Sequence, residues 1–217
     1  MALDLRSLLD MQSKDKKELS DMRVFPMIEG LEELEKEEKW EEARVMLYDL
    51  WSTDKENIDF FLRLSSECWF LVAEWEVEKT DSLDWEVFQD TLIECMTYGI
   101  GVPHFYDNTY FLCIVGYMIT LLPELFFNEK TKQGTFSETF LKWEAHGREL
   151  LAKAVKQDPI DLVMALYLGF FHKNELNEEM KKKYVEARES VRQHIGEYFP
   201  GNSAIEHYFK EGFSLYP

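Results

Sequence analysis

Apolar side chains recur every three or four residues along nearly the whole of this sequence, and strict apolar–polar alternation is hard to find. That spacing follows the α-helical repeat of about 3.6 residues per turn, whereas a half-buried strand needs a repeat of two. The stretch KWEEARVMLYDL, residues 39–50, shows the pattern: Trp40, Ala43 and Leu47 fall on one face and glutamates fall between them. The chain holds only 10 Gly and 6 Pro in 217 residues, few for an all-β protein that needs frequent turns. The expected class is therefore all-α, as antiparallel helix hairpins in a solenoid or an irregular bundle of nine or ten helices. One domain spanning 1–217 is expected.

The periodicity predicts helices over 3–11, 26–37, 40–52, 56–78, 84–98, 105–127, 136–157, 160–173, 176–198 and 202–213. Breaks are punctuated by Ser52-Thr53-Asp54, Thr80-Asp81-Ser82, Gly99 to Pro103, Asn128 to Gly134, Asp158-Pro159 and Pro200-Gly201-Asn202. Ser82 is a candidate cap for the helix at 84, and Asn202 or Ser203 for the last one, because their side chains can accept an orphan backbone N–H. The uncharged run TYFLCIVGYMITLLP, 109–123, is shorter than the roughly 20 residues needed to span a bilayer and closes at Pro123. It reads as a central helix buried within one subunit or against a second copy, not as a membrane span.

The formal net charge is −18. Residues 24–99 carry 21 acidic against 6 basic side chains, a balance of −15; residues 1–23 are neutral and 100–217 stand at −3. A field of that sign repels phosphate backbones and disfavours nucleic acid as a partner. It favours encounter with a basic protein, although surplus carboxylates also serve plain solubility. Cys68, Cys95 and Cys113 lie in apolar helical contexts and read as core thiols. Asp4 and Arg6 interrupt the N-terminus where a secretory signal needs an apolar run, so a reducing cytoplasm is expected.

Three stretches share a spacing of large and small residues. Trp40, Ala43 and Leu47 form the first; Gly147, Leu151, Ala154 and Pro159 the second; Tyr184, Ala187, Val191 and Pro200 the third. LYLGFF at 166–171 adds a Leu-Gly pair. On these residues the sequence resembles tetratricopeptide-like helical repeat proteins over parts of 27–54 and 136–200, in which a small residue lets paired helices approach. It departs from the pattern at Phe88, where a small residue is expected, and in the long spacing from Gly169 to Tyr184. The resemblance implies a binding surface lined by the first helix of each pair, here 26–37 and 56–78. Glu29, Glu32, Glu33, Glu67, Glu74 and Glu78 are then candidate partner contacts, with Trp69 or Trp75 at the margin.

Catalytic and cofactor motifs give no positive signal. GIGVP at 99–103 is a lone glycine pair, no serine stands in a G-x-S-x-G context, and the five histidines are scattered. No cofactor and no metal are expected. The expectation is a non-catalytic protein-binding module. Its most concrete form, by analogy with immunity proteins, blocks a basic nuclease-type toxin by charge complementarity. A repeat-type adaptor is the alternative, and an all-α enzyme working through unrecognised carboxylates the third reading.

Overall fold

A computed structural model describes residues 22–74, 83–172 and 174–214, the side chain of Glu74 excepted. The described residues are all helical or irregular, with no strand, and successive helices pack as antiparallel pairs. The order is α1 (Leu31–Lys36), α2 (Trp40–Thr53), α3 (Ile58–Glu74), α4 (Trp85–Ile100), α5 (Thr109–Leu121), α6 (Phe136–Gln157), α7 (Asp161–Gly169), α8 (Glu178–Gln193), α9 (Ile195–Tyr198) and α10 (Ala204–Ser214).

Boundaries follow local chemistry. Helix α6 runs over the expected 136–157 because Thr135 and Glu138 form a reciprocal capping box. Asn108 and Asn177 cap α5 and α8 by accepting the N–H groups of Phe111 and Met180. The helix expected over 105–127 is continuous only as α5. On either side Pro103 and Pro123 each open a short 3₁₀ turn, since proline suits a first helical position and not an interior one. The helix expected over 26–37 begins only at Leu31. Ahead of it the Val24 N–H donates to the Tyr198 carbonyl, and Gly30 takes a left-handed φ of 82°. The expected helix at 3–11 and the cap at Ser82 fall outside the described residues.

Two helices form the interior. Every residue of α3 from Phe61 to Val72 is buried, and in α5 so are Phe111 to Gly116 and Met118 to Thr120. Buried side chains from α1 through α10 join one continuous cluster. The uncharged run at 109–123 is thus a core helix, and among the described residues no helix is long and apolar enough to cross a membrane. The three cysteines are buried free thiols.

A close helix crossing lies between α5 and α6, at Gly116 and Gly147. A Cβ on Gly116 would stand 2.9 Å from the Leu151 nitrogen and 3.0 Å from the Gly147 carbonyl. One on Gly147 would stand 2.6 Å from Thr120 Oγ1 and 2.8 Å from the Thr120 nitrogen. Contacts that short exclude any side chain at either position, so two glycines set the distance between the helices.

Candidate functional site

Helix α1 is under two turns long, and its register decides which glutamates meet water. Leu31 and Glu35, four apart, point inward and are buried. Glu29 and Glu33 lie on the other side and are exposed, as are Glu37 and Glu38 at its end. Glu38 adopts a φ of 56° and turns the chain into α2, whose first turn exposes Glu41 and Glu42 beside the buried Trp40. Some of this charge is answered locally. Lys39 pairs with Glu37 at 2.8 Å and holds its carboxyl below the usual range, and Arg44 grips both oxygens of Glu41 at 2.9 and 2.6 Å. Among the described residues no ion pair engages Glu29, Glu33, Glu38 or Glu42, with Lys36 a nearby cation on the same edge.

The candidate contact residues separate accordingly. Glu29 and Glu33 stand on the exposed edge. Glu32 is half-buried, and its Oε1 accepts the Asn202 N–H at 3.0 Å. Two expectations are overturned: Glu67 and Trp69 are fully buried and line no outer surface. The cause is the position of α3, which is enclosed on all sides from Phe61 to Val72 and so turns even the polar residues of that stretch toward the core. Trp69 packs edge-on against Tyr117 and Tyr208, with ring centroids at 6.1 and 5.4 Å. The side chain of Glu74, Trp75 and Glu78 lie outside the described residues.

Glu67 instead belongs to a buried ionic cluster. Arg63, one turn earlier on α3, donates Nη1 to Glu67 Oε2 at 2.9 Å and Nη2 to Glu35 Oε1 on α1. Both side chains of each pair are almost wholly shielded from solvent. The second oxygen of Glu35 accepts the Ala204 N–H at 2.8 Å. Glu206 completes a capping box with Ser203 and also accepts the Gly201 N–H at 2.9 Å. Glu32, Glu35 and Glu206 therefore satisfy the backbone donors at the N-terminus of α10, the end of a helix that favours negative charge. At its other end Arg188 and Arg192 from α8 donate to the carbonyls of Gly212 and Phe213, the complementary arrangement. Helix α10 is thus held at both poles by charges opposed to its dipole.

Three carboxyls and one guanidinium in the interior leave negative charge in excess. Burial, then the neighbouring Glu67 charge, pushes Glu35 up to about 8 against the pull of Arg63. Burial likewise raises Glu67. The sequence carried a signal for this cluster in Arg63 and Glu67, a charged i,i+4 pair inside an otherwise apolar helix. A second signal was Ser203 and Glu206 with capping-box spacing after Pro200-Gly201.

Beyond these features, an open depression of about 610 Å³ lies along α4, lined among others by Lys55, Asp90, Glu94 and Tyr98. Lys55 lies over the Trp51 ring at 4.3 Å and 3.6 Å from Glu94, whose carboxylate also accepts the Tyr48 hydroxyl. Among the described residues no three His, Cys, Asp or Glu side chains are grouped to hold a metal ion. No protein-family model matches the sequence, and no curated protein or solved structure is significantly similar to it.

Proposed function

We propose that this chain is a non-catalytic binding module whose acidic α1–α2 edge receives a basic protein. The observation that carries the reading is the set Glu29, Glu33, Glu38 and Glu42, exposed and without ion-pair partners among the described residues. They stand on or beside anchored helices, α1 and the start of α2. Leu31, Glu35 and Trp40 hold the inner face of this edge in the interior, so the backbone that carries its carboxylates has little freedom to lose on binding. In its most concrete form the partner is a nuclease-type toxin domain. Carboxylates would then occupy the lysine- and arginine-lined cleft that normally takes phosphate, as in an immunity protein. Close charge pairs across such an interface contribute roughly 1.5–7 kcal/mol each and raise the association rate. The depression beside α4 fits this reading less well, because Lys55 and Lys130 answer Glu94 and Asp90 there.

The test is charge reversal with the partner recovered from the native host. The triple variant E29K/E33K/E42K changes only exposed side chains and should keep the wild-type unfolding midpoint within a few degrees. Its association rate at low salt should fall by about tenfold or more, while wild-type affinity drops steadily as salt rises. Unchanged association of the triple variant would place the binding surface elsewhere.

A further inference from the structure

The interior cluster has an unfinished hydrogen bond. Glu67 Oε1 is completely buried and meets no donor among the described residues, while Oε2 is engaged by Arg63. Buried carboxylate oxygens are rarely left without a donor, and this one lies in a cluster where a second carboxyl, on Glu35, shares the same guanidinium. The facing charged groups are few. From α1 come Glu35 and the half-buried Glu32; from α3, Arg63 and Glu67, with the Cys68 thiol beside them kept neutral by burial; from the α10 segment, Glu206 and Lys210, the latter donating to the Gly201 carbonyl at 2.5 Å. With every carboxyl ionised, Arg63 would be the one fully buried cation among the described residues to face Glu35, Glu67 and Glu206, Lys210 being half-buried and turned to the Gly201 carbonyl.

We infer that the Glu35–Glu67 pair holds one proton in the folded protein at neutral pH, and that this proton keeps the C-terminal helix α10 seated. A proton on the pair satisfies the orphan oxygen and brings the triad of Arg63, Glu35 and Glu67 to neutrality. The high value for Glu35 agrees with that placement. When the proton leaves at alkaline pH, the added charge must be hydrated or moved away from its like neighbours. Glu67 cannot move, because α3 is enclosed from Phe61 to Val72. Glu206 can, because the amino end of α10 meets α1 through the Asn202 and Ala204 N–H groups, which donate to Glu32 and Glu35 and can open without disturbing α3. Lifting residues 201–206 separates the like charges and admits water, so the loosening is confined to α10.

Hydrogen exchange on the full chain tests this. After correction for the intrinsic pH dependence of exchange, protection of the α10 amides should fall on the order of tenfold or more between pH 6 and pH 8.5. The α5 and α6 amides should keep theirs. In E67Q the new amide can donate to Glu35, one negative charge is gone for good, and the pH-dependent fall should disappear. If E67Q does not fold, E35Q should remove the fall in the same way. Equal α10 protection at the two pH values in the wild type would overturn the inference. So would a uniform loss across all helices, or a fall that persists undiminished in the glutamine variant.

Discussion

Replacing Arg63 with methionine is expected to destabilise the fold by about 3–5 kcal/mol, the range for removing one partner from a buried ion pair. Domains of ordinary size have a total stability of roughly 5–15 kcal/mol, so R63M should be partly unfolded or heat-labile near neutral pH. The loss is not one of packing, since methionine can fill much of the space of the arginine stem. It arises because Glu35 and Glu67 would face each other without a cation. The variant should therefore regain stability on acidification. Both carboxyls are raised in the fold relative to the unfolded chain, so their contribution is fully present below the ordinary glutamate value of about 4.5. It is lost as pH rises through the folded values, about 8 for Glu35. Denaturant unfolding followed by circular dichroism at pH 5 and pH 8 measures both effects. Equal stability of R63M and wild type at pH 8 would show that Arg63 neutralises nothing the fold depends on. Converting the whole triad to apolar residues (R63M/E35L/E67L) should recover much of the loss, because a buried pair is often no better than a packed hydrophobic substitute.

The second large effect belongs to the α5–α6 crossing. Gly147→Val should cost about 3 kcal/mol, at the upper end for overpacking a dense interior. The first added carbon already falls 2.6 Å from Thr120 Oγ1 and 2.8 Å from the Thr120 nitrogen. Rotation of Thr120 cannot relieve a clash with its own backbone, so the helices must separate. Gly212→Ala is the matched control. Gly212 sits in α10 with none of the described residues within 4 Å of an added Cβ, and alanine there should stabilise by about 0.5–1 kcal/mol. Thermal unfolding of the pair separates steric exclusion from helix propensity. A G147V protein as stable as G212A would mean that the two helices are not held as closely as described.

Much of this architecture could be read from residue spacing. The 3.6-residue period, with breaks at Asn128 to Gly134 and at Asp158-Pro159, placed α6 at its observed bounds, and the Thr135–Glu138 capping box that fixes its start emerged only in the structure. The small residues Ala43, Gly147 and Ala187 are all buried, as close helix packing requires. What spacing did not reveal was the direction in which acidic residues point. In a segment crowded with glutamate, Glu35 looks like its neighbours, yet it occupies the inward register four residues after Leu31. Glu67 and Trp69 seemed suited to a face that anchors by ring and selects by charge. That pattern is identical when a helix is enclosed on every side, and only the placement of α3 among its neighbours distinguishes the two cases. The candidate surface consequently contracts to the α1–α2 edge, with Glu29 and Glu33 retained and Glu38 and Glu42 added.

That edge is where the functional account is most open to refutation. Lysines 36 and 39 stand among its glutamates and give amine handles for cross-linking. The complex should be isolated from the native host, cross-linked at low salt, and its linked peptides identified by mass spectrometry. The account predicts a basic protein whose links to this chain concentrate on Lys36 and Lys39 and fade as salt is raised. Links confined to the lysines of α6 and α8, unaltered by salt, would contradict it.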